Sequence, residues 1–301
     1  MEHRDSSPRY VVISPVKDEA RYVHRTIHSM IAQTVRPLRW IVVDDGSSDG
    51  TADLVGEYLG EHPWIQLVRR TQQGQRQPGS GVIRAFNTGY DLLKGAAYDY
   101  IVKLDCDLEL PEDYFERLLG QFRDNPRLGI ASGVYCEEHA GRWLPVTMPR
   151  YHAAGACKVV RAACFEGIGG FVASKGWDTL DEIKAQVQGW STQHFAGIQF
   201  KHLKKEGSAI GPLATNVMHG EIYYLTGGSR LFLLFKILSR MATGRPVLLA
   251  GLAMAWGFIK FAIRGVPRLV TDQEARYYSR LLNARIRERL FRGSGHTVPI
   301  S

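Results

Sequence analysis

The sequence predicts an α/β fold built on a doubly wound, mostly parallel sheet. Three observations predict it: short apolar runs typical of buried strands, amphipathic helical segments between them, and polar clusters directly after three of the strands. Strand–helix alternation at this spacing is typical of parallel sheets with right-handed crossovers. The chain has 301 residues, 45% hydrophobic and 23% charged, as in a folded globular protein.

The first 120 residues carry this alternation most clearly. Strands are predicted at YVVISPV, LRWIVVDD, WIQLVRR and YDYIVKLD. Each is followed by a helical pattern, with apolar residues three or four positions apart. The helices are predicted in DEARYVHRTIHSMIAQT, around Leu54 to Leu59, from Val82 to Leu93, and in LPEDYFERLLGQF.

Local signals set the expected ends of these helices. Asp18 and Glu19 are expected in the first turn of the first helix, where acids complement the helix dipole. Asp49 or Thr51 is expected to cap the second helix. A polar, glycine-rich loop, residues 72–81, precedes the third, and Pro111 is expected near the start of the fourth.

Beyond residue 128 the alternation becomes less regular. The stretch GWDTLDEIKAQVQGW has Leu180, Ile183 and Val187 on one helical face, which predicts a helix there. Four cysteines lack any C-x-x-C spacing, and the polar N-terminus lacks a signal-peptide pattern. We therefore expect free thiols and a catalytic part in the reducing cytoplasm.

The C-terminal quarter differs in composition from the rest. Residues 222–301 contain 13 Lys and Arg against 3 Asp and Glu, whereas residues 1–221 contain 25 against 27. The uncharged run at 246–259 is shorter than the roughly 20 residues that a spanning helix needs. We expect a catalytic domain at 1–221 and a basic, hydrophobic helical extension at 222–301.

The extension is predicted to lie at a membrane. Two helices are expected in the interface, with Lys and Arg reaching the headgroups and Trp256 near that level, and a final basic helix suits the same surface. The alternatives are a buried helical hairpin and a single spanning helix. The basic residues alternate with long aliphatic runs, which disfavours nucleic acid as the partner.

Polar clusters at residues 15–19, 44–47 and 105–107 should meet at one edge of the sheet, because ligands of such sheets bind outside the carboxyl ends of the strands. The Asp-x-Asp pair Asp105 and Asp107 predicts a Mg²⁺ or Mn²⁺ site completed by phosphate oxygens. A solvated turn is the alternative. Asp45 lies on the same edge and can accept hydrogen bonds from a nucleobase or ribose.

Three segments resemble the inverting family 2 glycosyltransferases of the GT-A fold. They are VVISPVKDEARYVHRTIHSMIAQT, WIVVDDGSSDGT and YIVKLDCDLELPEDYFERLL, in the usual order and spacing, over about residues 9–120. GGFVASKGWDTLDEIKAQVQGW fits the acceptor-side region of the family and extends the resemblance to about residue 205. What lies beyond Gly220 is outside the shared core.

The resemblance implies a role for each matching position on the donor side. Pro15, Val16 and Glu19 would line the nucleotide pocket, Asp45 would bind the base, and Arg84 would steady the diphosphate. A solvated helix arginine is the alternative for Arg84. The donor would be a nucleotide-sugar, with UDP, GDP or dTDP as the nucleotide.

The metal would be bound by Asp105 and Asp107, with Asp107 the surer ligand, while Cys106 points the other way as a small filler. His202, in FKHLKKEG ahead of Lys204 and Lys205, is implied as a further ligand of the metal or diphosphate, and His219 competes with it.

On the acceptor side the resemblance implies a carboxylate as general base. Asp178 occupies the base position, with Asp181 and Glu182 as fallback. These acids could instead complement the dipole of their helix. Lys184 falls where the family often has arginine.

The function expected is transfer of one sugar to a membrane-linked acceptor, a polyprenyl-diphosphate saccharide or a lipid, at the cytoplasmic face of the cell membrane. The Gln-x-x-Arg-Trp motif of processive synthases is absent, which favours addition of a single sugar. One alternative is a nucleotidyltransferase on a similar sheet, but the loop SPVKDEA lacks the glycines that this class needs. A non-catalytic, basic binding module for membrane or nucleic acid is the other alternative.

Overall fold

The computed structural model describes residues 8–71, 79–204 and 211–292, except for the side chains of residues 289–292. The chain divides into two compact units, Met1–Glu206 and Gly207–Ser301. This division precedes the one expected after residue 221, a position that falls inside a helix of the second unit.

The first half of the first unit alternates strands and helices in the predicted order. Its elements are β1 Tyr10–Val16, α1 Val23–Ile31, β2 Arg39–Asp44, α2 Thr51–Gly56, β3 Ile65–Arg69, α3 Ser80–Asp91, β4 Tyr100–Leu104, β5 Leu108–Glu109 and α4 Tyr114–Asp124. The second half has longer strands and two helices. Its elements are β6 Leu128–His139, β7 Arg142–Pro145, β8 Cys157–Arg161, α5 Ala162–Gly167, α6 Trp177–Val187 and β9 Ser191–His202.

The described strands form one sheet, in the order β3-β2-β1-β4-β8-β6-β9-β5, with β7 paired to β6. Strands β3, β2, β1 and β4 are parallel, whereas β8 runs antiparallel to both β4 and β6. Strand β6 is again parallel to β9. The predicted mostly parallel α/β sheet is therefore confirmed, with antiparallel strands confined to its second half.

Strand β1 is buried along its whole length, because helices cover both faces of the sheet. Its side chains alternate between two hydrophobic clusters: Tyr10 and Val12 belong to one, and Val11 and Ile13 to the other. A strand buried on both faces needs a continuous apolar run, which explains why YVVISPV lacks the polar alternation of a half-exposed strand.

Several expected helix ends were wrong because tertiary hydrogen bonds compete with the helix. Helix α1 begins at Val23, so Asp18 and Glu19 precede its first turn. Asp18 instead has a left-handed φ of 55°, and its N–H donates to Ser47 Oγ. The N–H of Glu19 donates to Thr51 Oγ1. These bonds connect the loop after β1 to the loop after β2.

The other helix ends differ by a few residues. Gly50 is the N-cap residue of α2, while Asp49 Oδ1 accepts the N–H of Thr51. That helix ends at Gly56, before the expected apolar residues Tyr58 and Leu59. Helix α4 begins at Tyr114, three positions after Pro111.

The second unit is helical, as predicted. Its helices are α7 Pro212–Leu225, α8 Arg230–Thr243, α9 Leu249–Ile263 and α10 Asp272–Arg292. Helices α7 and α9 cross so closely that a Cβ atom added at Gly257 would lie only 2.0 Å from the carbonyl oxygen of Val217. Within the described residues, no helix has the length and hydropathy required to cross a bilayer.

Candidate active site

Three polar clusters meet at the carboxyl edge of the sheet, as the parallel register requires. Val16 at the end of β1 pairs with Asp44 at the end of β2. On the other side of β1, Ile13 pairs with Lys103 of β4, which brings the residues after Leu104 to the same edge. The predicted meeting of these three loops is therefore confirmed.

The two carboxylates of the Asp-x-Asp pair have different partners. Asp105 Oδ1 accepts from Lys103 Nζ at 2.6 Å, whereas Asp107 Oδ2 lies 3.4 Å from His202 Nε2. His202 reaches this position because β5 and β9 pair with Leu108 opposite His202. Burial and the charge of Asp107 raise the pKa of Asp105, while the charges of Lys103 and His202 oppose that rise.

The chemistry of these residues fits a divalent metal. Asp107 Oδ1 is buried and has no hydrogen-bond partner among the described residues, which is costly for a carboxylate unless a cation is bound there. Mg²⁺ and Mn²⁺ prefer such hard oxygen ligands and bind through one or two carboxylates plus substrate phosphates. Among the described residues no group of three or more His, Cys, Asp or Glu forms a metal cage, so phosphate oxygens would have to complete the site.

The expected nucleotide-binding residues lie at the end of β1 and on the loop that follows it. Pro15 and Val16 are the last two residues of β1 and are buried, and the carbonyl oxygen of Val16 accepts the N–H of Asp45 at 2.8 Å. Glu19 is also buried, and its Oε1 accepts from Lys204 Nζ at 2.6 Å. This pair connects the end of β9 to the same edge of the sheet.

Asp45 lies in a basic environment that the sequence did not predict. Its Oδ1 is 2.5 Å from Arg70 Nη1. Burial raises the pKa of Asp45, and the charges of Arg70, Lys17 and Arg84 act against that rise. Arg84 therefore lies close enough for its charge to act on Asp45. The only sequence signal for Arg70 was its position directly after β3.

The acceptor-side candidates separate into one partly exposed and two buried carboxylates. Asp178, the second residue of α6, is half-exposed, and its carboxylate accepts no hydrogen bond from any described residue. Asp181 and Glu182 are buried, and both lie against the fully buried ammonium of Lys158. Asp181 and Glu182 therefore have a cationic partner and no access to solvent, whereas the Asp178 side chain is partly accessible.

The remaining candidates take varied positions. Cys106 is buried in the core beside the sheet, as expected of a small filler. Lys184 lies in the last turn of α6, and His219 lies on α7, in the second unit. Lys205 and residues 72–78 of the expected glycine-rich loop lie outside the described residues.

Comparison with known proteins gives one family match and several relatives. The model of the family described as "Glycosyl transferase family 2" matches residues 11–158. A poly-beta-1,6-N-acetyl-D-glucosamine synthase from Staphylococcus epidermidis is 28% identical over 116 residues, 38% of this chain and 26% of that protein. A chondroitin synthase from Escherichia coli is 30% identical over 116 residues, 38% of this chain and 16% of that protein. A hyaluronan synthase from Pasteurella multocida is 28% identical over 120 residues, 40% of this chain and 11% of that protein.

The chain thus spans about a quarter or less of the length of these relatives. Among solved structures, the mannosyltransferase PcManGT from Pyrobaculum calidifontis, in complex with GDP-Man and Mn²⁺, has a similar fold, with a TM-score of 0.56. The two chains are 18% identical, and the match covers 95% of this chain and 81% of PcManGT. Residues 11–158 of this chain are therefore similar in sequence to glycosyltransferase family 2, and the chain shares the GT-A fold of a solved glycosyltransferase.

Proposed function

We propose that this protein is a metal-dependent, inverting glycosyltransferase that moves one sugar from a nucleotide-sugar to a hydroxyl of a membrane-linked acceptor. The observation that carries the proposal is the buried Oδ1 of Asp107, which has no hydrogen-bond partner in the described part of the chain. It lies beside Asp105 and His202, at the edge where sheets of this type bind ligands. The names of the relatives, which are polysaccharide synthases, support a role in glycan synthesis.

The donor would lie along the carboxyl edge of the sheet. Pro15, Val16 and Glu19 would line the nucleotide pocket, and Asp45 would accept a hydrogen bond from a nucleobase N–H. Arg84 would bind the diphosphate oxygens. Asp105 and Asp107 would hold the metal, with His202 as a ligand of the metal or of the diphosphate. A bound Mg²⁺ or Mn²⁺ would supply positive charge that stabilises the departing nucleoside diphosphate.

Transfer would be a single in-line displacement, which inverts the anomeric carbon. The acceptor oxygen forms a bond to that carbon while the bond to the diphosphate oxygen breaks, and the nucleoside diphosphate leaves with the bonding electron pair. Asp178 would take the proton of the acceptor hydroxyl during the attack. Its half-exposed, unpartnered carboxylate suits that role.

The acceptor would be linked to a membrane, as a polyprenyl-diphosphate saccharide or a lipid, at the cytoplasmic face. Support comes from helices α8 and α9 and the turn between them, whose outer side chains are large, apolar and about half exposed or more. They are Leu231, Leu234, Phe235, Leu238, Val247, Leu248, Leu249, Leu252, Trp256, Ile259 and Ile263. We call this set the apolar face of the second unit.

The apolar face suits the interface of an anionic bilayer. On α9 the residues Leu252, Trp256, Ile259 and Ile263 follow one another at helical spacing, so they form one stripe along the helix. Arg240, Arg245 and Arg264 lie near the ends of the two helices and are exposed. Each basic residue near an anionic leaflet contributes roughly 1 kcal/mol. Lys260 differs from the expectation, because its ammonium pairs with Glu221 Oε1 at 2.6 Å.

A donor screen tests the catalytic proposal. UDP-, GDP- and dTDP-sugars are incubated with Mn²⁺ or Mg²⁺, and release of nucleoside diphosphate is measured. The GDP-Man and Mn²⁺ bound by PcManGT are a reason to include that pair. We expect metal-dependent release from one donor, lost in Asp107→Ala and retained in the control Asp124→Ala, which removes an exposed carboxylate from α4.

Two further outcomes separate the alternatives. Asp178→Asn should bind donor normally but lose sugar transfer, and normal transfer by that variant would exclude Asp178 as the base. A nucleotidyltransferase would release pyrophosphate in forming a nucleotide-sugar, rather than nucleoside diphosphate in consuming one. Absence of turnover with every donor and either metal would overturn the proposal.

A further inference from the structure

Lys158 is a fully buried lysine that the proposed chemistry does not use. It lies on β8, and its Nζ is 3.0 Å from Asp181 Oδ2 and 3.3 Å from Glu182 Oε1. The same ammonium donates to the backbone carbonyl oxygen of Asp178 at 2.8 Å. Burial acts to lower the pKa of Lys158, but the charges of Asp181 and Glu182 outweigh burial and raise it.

The two carboxylates are themselves held in place. Glu182 Oε1 accepts the N–H of Ala153 at 2.7 Å, and Glu182 Oε2 lies 3.0 Å from His152 Nδ1. Asp181 Oδ1 accepts the N–H of Glu182 at 2.6 Å. We call Lys158, Asp181, Glu182 and His152 the buried ionic cluster. Because its hydrogen bonds hold each member, the cluster fixes the ammonium in one position.

The same region connects Asp178 to the metal carboxylates. The indole of Trp177 lies 5.2 Å from Lys158 Nζ and 5.4 Å from Lys103 Nζ, measured from the ring centroid. Lys103 Nζ donates both to Asp105 Oδ1 and to the carbonyl oxygen of Gly155. A Cβ at Gly155 would lie 3.3 Å from the Trp177 ring and 3.4 Å from Asp178 Cβ, so the segments are in close contact.

We infer that Lys158 is a positioning residue: its ammonium, fixed by Asp181 and Glu182, holds the backbone of Asp178 and so orients the Asp178 carboxylate for the acceptor. This inference rests on the proposed function. The Asp178 side chain accepts no hydrogen bond from a described residue, so its direction depends on its backbone and on the first turn of α6. Lys158 is the side chain that holds that backbone, and it does so from the strand beside β4.

A set of variants separates positioning from simple charge balance. Lys158→Met leaves two buried carboxylates without their ammonium and is expected to be unstable. The triple variant Lys158→Met/Asp181→Asn/Glu182→Gln removes all three charges and should fold. Lys94→Met, which removes an exposed surface ammonium paired with Asp91, is the control.

Three quantities are measured for each folded variant. They are the thermal midpoint, donor affinity with Mn²⁺ by calorimetry, and kcat and KM for transfer to a short-chain prenyl diphosphate-linked monosaccharide. For the triple variant we expect donor affinity and acceptor KM near wild type. Its kcat should fall about 100-fold, the scale expected when a catalytic group is misplaced by about 1 Å. Lys94→Met should retain kcat.

Two results would overturn the inference. One is a triple variant with wild-type kcat, and the other is an equal loss of donor affinity and kcat, which would indicate a general structural role. If the triple variant does not fold, Lys158→Arg takes its place, since it keeps the charge but moves the donor. Loss of kcat alone supports the inference, and wild-type kcat contradicts it.

Failure of the inference differs from failure of the proposed function. If wild type turns over no donor, or if Asp178→Asn transfers normally, the proposed function is wrong. If wild type is active and Asp178→Asn is not, while the triple variant keeps its kcat, only the positioning role of Lys158 is wrong.

Discussion

Lys103 Nζ and Asp105 Oδ1 lie 2.6 Å apart, two positions from each other at the end of β4. The side chain of Lys103 is only 3% exposed, so this ion pair is a fixed part of the sheet edge. It makes the two carboxylates of the Asp-x-Asp pair unequal, because Asp105 already has a cation whereas Asp107 keeps a buried oxygen with no hydrogen-bond partner within residues 8–71, 79–204 and 211–292. Repulsion between the two acids is therefore only partly relieved by the chain itself.

This inequality predicts different effects of removing the two carboxylates. Asp107→Asn should lower metal-dependent release of nucleoside diphosphate by about 100-fold or more, since loss of an outer-shell partner alone costs 10- to 100-fold. Asp105→Asn should lower this rate less. Lys103 then loses its partner, but the oxygen of Asp107 that would bind the metal is still present. Initial rates across a Mn²⁺ titration measure both effects.

The titration also provides the control. Asp107→Asn should need a higher Mn²⁺ concentration for half-maximal rate, while donor binding without metal stays unchanged. Equal losses in the two variants would contradict the asymmetry described above.

The sequence predicted the edge of the sheet well but missed the cations on it. Apolar runs and helical periodicity fix the strand order along the chain, and parallel pairing then brings Val16, Asp44 and Asp105 together. Some partners of the candidate acids come from distant segments: Arg70 pairs with Asp45, and Lys158 pairs with Asp181 and Glu182. Side-chain pairing across strands leaves no periodic signal in a single sequence, so these contacts could not be predicted.

Arg70 is expected to affect donor binding rather than the chemical step. Its guanidinium lies 2.5 Å from Asp45 Oδ1 and holds the carboxylate that would bind the base. In Arg70→Met a hydrogen bond to a charged group is lost, worth about 1.5 kcal/mol, so donor KM should rise roughly tenfold. The kcat should stay near wild type, because the reacting atoms are not touched.

Steady-state kinetics with the donor found in the screen measure this effect. Arg69→Met is a suitable control, since Arg69 pairs with the exposed Asp53 on the surface. A fall in kcat without a change in KM for Arg70→Met would show that Asp45 and Arg70 act in the chemical step instead.

The pair of His152 and Glu182 should make stability depend on pH. Burial acts to lower the pKa of His152, but the carboxylates of Glu182 and Asp178 raise it to about 9 against the opposing charge of Lys158. The stabilisation is complete below the unfolded pKa of about 6.5 and is lost as pH rises through the folded value. The free energy of unfolding should therefore fall by at most about 3 kcal/mol between pH 6.5 and 9.

Urea unfolding at several pH values measures this slope. His152→Gln should flatten it, while His62→Gln, a histidine beside Trp64 in the segment between α2 and β3, should leave it unchanged. An identical slope in His152→Gln and wild type would mean that another group carries the pH dependence.

Predictions about α6 were right for the helix and incomplete for its acids. Leu180, Ile183 and Val187 gave the correct helical face, but the same periodicity could not separate Asp178 from Asp181 and Glu182. The separation depends on Lys158, which lies on β8 and pairs with the two acids that face inward. A buried acid and an exposed acid one turn apart differ only in what packs against them.

The apolar face of the second unit should bind anionic vesicles through specific side chains. Trp256 is 56% exposed and Ile259 is 46% exposed, both on the outer stripe of α9. Replacing both with serine removes roughly 1 kcal/mol of apolar burial each, so vesicle affinity should fall about tenfold or more.

Flotation with vesicles containing phosphatidylserine measures the bound fraction. Leu38→Ser/Leu92→Ser, with exposures of 48% and 47% in the first unit, is the matched control and should bind as wild type does. Equal binding by both double variants would mean that this face is not the one that contacts the membrane.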